Sequence, residues 1–570
     1  MSKPTTAVLR KLQAVLGTAV LDDKGKEDLI CRILEAAKVY GSSAAEKTTA
    51  DQDVEGMCME WYWIPGRIEL VGKHTDYCGG ESIVFPVNRG FLFAVVKVSP
   101  GDDDGNKPEA ENKMKMSNQK SRKMTVIHCR DGSPSLGAGE QKNECWSYAC
   151  VSNSEADSST ACSEEEDGKN IISTASKPKP EQSPPGWSTY FRATWDRLRM
   201  NFGMTFTPRR IYFASDLPKA SGLSSSSALV VAAFVIVEQD EIFASQEKQN
   251  KILSDVVRSW NPEDLAAYLG CCENGSGFSC SSMSLPGSRG VGTFGGSEDH
   301  AGILNIGGLA GGLSRLCFMP AKVIDAIKWP VETYHFVVAS SGVEAHKGAG
   351  SMEHYNNAVL IARDALERIN AYYEDNVDKR KFASLGSFLA NEGAKKAKKV
   401  LQEIYAEVST AVQWHANAVP GGATTAETTK TAFIQFGRVQ QFLDEMEVIE
   451  ELAKLVKELN EKTAPDRSQA VIEKLASCLQ KSQEGSEKYL LNIIEETAYL
   501  PRSALKLGAI AASAFGAGFG GSVYAIVPAD RSENFRGLWE KDYISNFPQH
   551  ESNSCFFIVK GPGAGAQRIM

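Results

Sequence analysis

Residues 221–237, SGLSSSSALVVAAFVIV, leave little choice of environment. The run Ala228 to Val237 is the longest strongly apolar stretch of the chain, yet it is too short to span a bilayer. It therefore belongs inside a globular core. Gly222, just ahead of it, can take backbone angles closed to other residues. The serines then begin a helix, so several N–H groups lack intrahelical partners and the helix dipole adds partial positive charge. Such a turn is an anion cradle suited to phosphates, and serine hydroxyls can also ligate Mg2+. The competing reading is a serine-rich cap in front of a buried helix, and the stretch alone does not separate the two.

A chain of 570 residues is too long for one compact core, so two domains are expected. The formal charge of −9 argues against a broad nucleic-acid surface, which needs a basic stripe. The first residues, MSKPTTAVLRKLQAVLG, lack the apolar core and cleavage site of a signal peptide. The 13 cysteines are scattered without paired C-x-x-C spacing, which reads as reduced thiols. These features point to a cytoplasmic protein with no membrane or nucleic-acid partner, expected to be a monomer.

Two amphipathic helices are expected first, in VLRKLQAVLG and KEDLICRILEAAKVYG. Aromatic and β-branched strands follow in MEWYWIPGRIELVG and GGESIVFPVNRGFLFAVVKV. Between about residues 100 and 185 the chain is charged and poor in apolar residues, broken by a strand-like MTVIHC, and reads as polar insertions. GWSTYFRATWDRLRMNFG is a helix and RRIYFASDLP a strand. NPEDLAAYLGCCENGSGF is a helix capped by Asn261 with Pro262 at its first position. From Gly350 to Leu500 the pattern is helical, and LKLGAIAASAFGAGFGGSVYAIVP reads as helix, glycine loop and strand.

The GK of PGRIELVGKHTDYCGG (residues 65–80) invites a P-loop reading, but Gly66 and Gly72 are one residue too far apart and His74 follows Lys73. Three segments need a common explanation: 65–80, LPKASGLSSSSA and FGAGFGGSV. In order and separation they resemble the three motifs of the GHMP kinase superfamily, which includes galactokinase, homoserine, mevalonate and phosphomevalonate kinases. The first looks like the galactokinase signature G-R-V-N-L-I-G-E-H-T-D-Y-N-G-G. The second resembles P-x-x-x-G-L-[SG]-S-S, and the third a glycine-rich motif.

The resemblance implies an α+β, two-domain kinase. Residues 1–325 would form a ribosomal-S5-domain-2-like N-terminal domain and 326–570 a ferredoxin-like C-terminal domain. ATP would rest on Ser221, Gly222, Leu223, Ser224, Ser225, Ser226 and Ser227, with Mg2+ held by Ser226 and Glu273. Galactokinases follow that acid with C-G-I-M-D-Q, and here GGSEDH makes Asp299 the expected catalytic base, with Glu298 an adjacent rival. Arg67 matches the family's arginine beside the base, where a guanidinium keeps the carboxylate ionised and stabilises transferring charge. His74, Asp76 and Tyr77 match the sugar-contacting H-T-D-Y. The expected partners are a monosaccharide and ATP, and the expected reaction is phosphorylation of an anomeric hydroxyl, with galactose first.

Lys73 departs from the family, which has glutamate in its slot. A lysine there suits a sugar carboxylate by ion pairing, so a uronic acid such as galacturonate is an alternative substrate. Lys73 could instead point outward and pair with Glu69 or Glu81. A non-catalytic sugar sensor is a further reading, which the complete serine loop and the candidate base oppose.

Overall fold

A computed structural model describes residues 3–16, 23–41, 59–98, 123–130, 143–149, 186–242, 251–308, 311–343, 349–376, 379–406, 425–461 and 465–570. Most of the two polar insertions lies outside them. The MTVIHC strand between those insertions is described, as β3 (Lys123–His128).

The first sheet has eight strands among the described residues. Its centre is β2 (Glu81–Lys97), antiparallel to β1 (Glu60–Val71) and β5 (Arg209–Ser215). β3 pairs with β5, and β4 (Glu144–Ala149) pairs with β3. On the other side, β6 (Gly312–Cys317) and β7 (Lys322–Lys328) form a hairpin beside β2. The expected division at 325/326 falls inside β7.

Each face of this sheet is covered, as its apolar alternation requires. On one face lie α1 (Lys3–Leu16) and α2 (Asp23–Gly41), whose Leu12, Leu29, Ile30 and Ile33 pack on Trp61, Trp63 and Leu92. On the other lie α3 (Ser188–Phe202) and α4 (Ser225–Val235), packed on Ile64, Phe93 and Phe213. α4 is the apolar run, and its residues Ser226 to Phe234 are all buried. α5 (Pro262–Asn274) begins as expected: Asn261 accepts a hydrogen bond from the Asp264 N–H. α6 (Glu298–Leu304) follows.

The second sheet is antiparallel, in the order β9 (Ala511–Phe515), β10 (Ser522–Pro528), β8 (Tyr334–Ser340), β11 (Cys555–Val559). Expected as helix, AASAF is a strand. Its neighbours on the two faces decide this: Ala512 and Ala514 enter one apolar core, while Ala511 and Phe515 enter another. A period of two satisfies both cores, and a helix would not. Helices flank this half: α7 (Ala349–Asn376), α8 (Thr425–Leu459), α9 (Pro465–Gly485), α10 (Glu495–Lys506) and α11 (Ser532–Asn546). The chain then returns to the first sheet, where β12 (Gln567–Arg568) pairs with β1. No described helix is long and apolar enough to cross a membrane.

Candidate active site

A cavity lies where the first motif, the serine loop and the third motif meet. Arg67 and Glu69, two apart on β1, share the strand face that lines it. At Gly72 the strand ends in a turn. Its φ is 110° and a Cβ there would lie 2.3 Å from the Ser82 Cβ, so a side chain is excluded. His74 adopts φ 59°, and the Thr75 hydroxyl ties back to the Gly72 carbonyl at 2.7 Å. This tight turn brings His74 and Asp76 to the cavity wall.

Asp299, in the first turn of α6, accepts from Arg67 Nε at 2.9 Å and Nη2 at 2.6 Å on one oxygen. Arg67 Nη1 donates to the Gly222 carbonyl at 2.7 Å. One guanidinium thus joins the candidate base to the serine loop. Burial works against the Arg67 charge, but the Asp299 carboxylate beside it holds its pKa above the ordinary value. Asp299 also lies 3.3 Å from Ser227 Oγ, which donates to Glu273 at 2.7 Å. The same Glu273 oxygen is 3.1 Å from His300 Nε2.

In the sugar-type turn, burial, reinforced by Arg438, depresses the His74 pKa to about 3, so the ring is neutral. Tyr77 Oη accepts from Arg438 and lies 2.7 Å from His74 Nδ1. Donation by that hydroxyl to Nδ1 leaves the proton on Nε2, facing the Ala517 carbonyl at 3.3 Å. Burial, with Asp299 nearby, raises Asp76 to about 6 against the backbone N–H groups of Tyr77, Glu298 and Gly296. Glu69, also buried, is raised to about 7 although Arg67 and the Gly516 N–H oppose the shift.

The third motif packs against the serine loop. A Cβ on Gly516 would lie 2.8 Å from the Gly222 carbonyl, and Ser522 Oγ donates to the Ser221 carbonyl at 2.7 Å. Glycine is therefore required there for backbone to meet backbone.

Several expected residues sit differently. Lys73 is fully buried but does not line the cavity: its ammonium donates to Ser513 Oγ at 2.7 Å. The backbone N–H groups of Gly72 and Lys73 both meet Glu445 of α8, 2.8 and 3.4 Å away. Burial lowers the Lys73 pKa, and Glu445 is the largest opposing charge. Lys73 thus neither points outward nor pairs with Glu81, which is held by Arg315 at 2.6 Å. Tyr77 likewise stands behind His74 and outside the cavity lining. Of the serine loop, Ser227 lines the cavity and meets Glu273, one residue on from the expected Ser226. Ser221, Gly222, Leu223 and Ser224 form the turn into α4, and Ser225 and Ser226 are its first residues.

Sequence reasoning missed Tyr355, on α7, whose ring lies 5.3 Å from that of His74 in the cavity wall. Nothing local marks it, because a tyrosine in an amphipathic helix reads as packing. Glu69 was seen only as a partner for Lys73, although the signature's asparagine at its position offered a signal.

The match to known proteins follows the same three regions. Residues 64–97 match the galactokinase galactose-binding signature, 189–253 the GHMP kinases N-terminal domain and 447–544 the GHMP kinases C-terminal family. The chain belongs to the GHMP kinase superfamily. It is a galactokinase-like phosphotransferase with an alcohol group as acceptor. Its fold is that of the Lactococcus lactis galactokinase solved with galactose, at 17% identity and TM-score 0.57, covering 95% of this chain and 99% of that one. The Lin0012 protein from Listeria innocua aligns at 11% identity and TM-score 0.44, over 90% and 99% of the two chains. L. major mevalonate kinase with R-mevalonate aligns at 10% and 0.40, over 88% and 96%.

GHMP kinases use ATP, and the loop of this chain fits phosphate. Ser224 Oγ is buried without a hydrogen-bond partner, and its side chain does not cap α4, so the first-turn N–H groups face outward from the helix end. Ser227 and Glu273 offer hard oxygen donors of the kind Mg2+ takes alongside phosphate oxygens. Among the described residues no group of three or more acidic, histidine or cysteine side chains forms a metal cage.

Proposed function

We propose that this GHMP kinase transfers the terminal phosphoryl group of ATP to the anomeric hydroxyl of a neutral monosaccharide, galactose first. The carrying observation is Asp299, clamped by Arg67 at 2.6 Å in a cavity bounded by the sugar-type turn and the serine loop. ATP, when bound, would supply the phosphoryl group, and Ser227 and Glu273 would hold an Mg2+ ion that offsets phosphate charge.

Arg67 fixes the orientation of the Asp299 carboxylate and sets a cation against it. Asp299 aligns the acceptor hydroxyl and takes its proton. The Arg67 guanidinium, already locked to the Gly222 carbonyl, faces developing charge without reorganising. The neutral His74 ring shapes the wall beside the acceptor, and Asp76 offers a carboxyl to its neighbouring hydroxyls.

The uronate alternative rested on Lys73, whose ammonium is engaged with Ser513 away from the cavity. No observation now favours it. The test is Mg-ATP consumption by purified protein against galactose, galacturonate, glucuronate, arabinose, fucose and mevalonate. Turnover of a neutral sugar, lost in Asp299→Asn, is expected. Binding of sugar and ATP without turnover of any acceptor would overturn the kinase reading in favour of a sensor.

A further inference from the structure

The carboxyls of the cavity wall differ in one respect. Asp299 has Arg67, Glu273 has Ser227, Asp76 has the Tyr77 N–H, and Glu69 has the Gly516 N–H. Glu298 lines the same cavity at 4% exposure, and with no protein hydrogen bond to its carboxyl among the described residues its oxygens open on the cavity. A carboxyl held in a cavity wall without a protein partner is left to bond whatever occupies the cavity. In the galactokinase motif C-G-I-M-D-Q this position is methionine, which needs no partner. The glutamate thus departs from that motif, and packing does not require its polarity.

The surroundings determine what could complete it. Burial, and then the Glu69 and Asp76 carboxyls, raise the Glu298 pKa well above its usual range, with Arg67 the main opposing charge. A neutral carboxyl both donates and accepts a hydrogen bond, and a sugar hydroxyl matches it in both roles. A substrate carboxylate would instead enter a wall carrying Glu69, Asp76, Glu298 and Asp299 with Arg67 as the counter-charge.

We infer that Glu298 reads a hydroxyl of the acceptor sugar and, with Glu69 beside it, excludes acceptors bearing a carboxylate at that end. Glu298 is thereby a specificity-determining residue, distinct from the base Asp299 next to it. This inference rests on the proposed sugar-kinase reading, whose own test is turnover.

The experiment pairs calorimetric sugar binding with steady-state kinetics for the wild type, Glu298→Met and Glu298→Gln. The ligands are galactose, its monodeoxy derivatives and galacturonate. Wild type is expected to bind galactose at least about tenfold more tightly than galacturonate, the scale of one buried hydrogen bond. Glu298→Met should weaken galactose by about tenfold, with the loss in KM rather than kcat, while Glu298→Gln stays within about threefold. One monodeoxy sugar should cost the wild type a similar factor and cost Glu298→Met nothing further, which a purely structural role would not produce. Should the methionine variant fail to fold, Glu298→Ala replaces it in the same comparison. Unchanged galactose affinity on losing the carboxyl, or equal wild-type affinity for galactose and galacturonate, overturns the inference. If no acceptor is turned over, the kinase reading fails while binding still decides this one. A neutral sugar held by wild type but not by Glu298→Met sustains it, and one held equally by both, or by neither, sinks it.

Discussion

The two sides of one turn behave differently. On the cavity side of residues 67–76, Arg67, Glu69, His74 and Asp76 present polar groups to an occupant. On the far side, Lys73 and the backbone of Gly72 are spent on Ser513 and Glu445, in a closed network that includes Ser482 and Gln483. One short motif therefore carries a cavity wall and a structural anchor. The lesson is that a recognised motif fixes positions along the chain, while the fold decides which side each one serves.

The sharpest way to break this contrast is Asp299→Asn. On the cavity side it should lower kcat by about 10²–10⁴-fold with little change in melting temperature. A large loss of stability with kcat intact would reverse the assignment.

Lys73→Met probes the far side. Removing a buried cation leaves Glu445 less compensated, so about 3 kcal/mol of stability should be lost in denaturant unfolding. The sugar KM should stay within about threefold. Lys73→Glu, which restores the family's residue, should be worse, because Glu445 and Glu69 already act on that position.

Glu69→Gln sharpens the comparison through pH. Glu69 titrates at about 7 when folded and near 4.5 when unfolded. Between these values the folded state holds the extra proton, so stability falls as pH rises and the penalty is complete above about 7. The glutamine variant should match wild type near pH 4.5 and exceed it by roughly 2–3 kcal/mol at pH 8. An equal gain at both pH values would mean that the carboxyl is not strained by burial. The smallest expected effect is that of Ser227→Ala, a rise of about tenfold in the Mg2+ concentration for half-maximal binding of a nonhydrolysable ATP analogue. Ser226→Ala should fall short of it.

Much of this was legible in the sequence. Residue type and order gave the serine loop, Arg67, His74 and Asp76. Motif order brought Asp299 to the same cavity although its flanking residues differ from C-G-I-M-D-Q. The direction of Lys73 was not legible, because it depends on the left-handed His74 and on Glu445, 372 residues away. That Ser227 and not Ser226 lines the cavity depends on the phase of α4 against α5, which adjacent identical residues cannot signal. AASAF misled because alanine favours helices, whereas burial on two faces enforces a strand.

The return of β12 to β1 bears on how the protein is made. Trp61 exchanges backbone hydrogen bonds with Ile569 and Met570, so the outer edge of β1 is paired by residues synthesised about five hundred positions later. Until those residues leave the ribosome, a long apolar strand has an open edge, the kind that recruits other chains. A nascent or truncated chain ending before residue 567 is thus the form most in need of a chaperone, even though every residue lining the active-site cavity has already been translated.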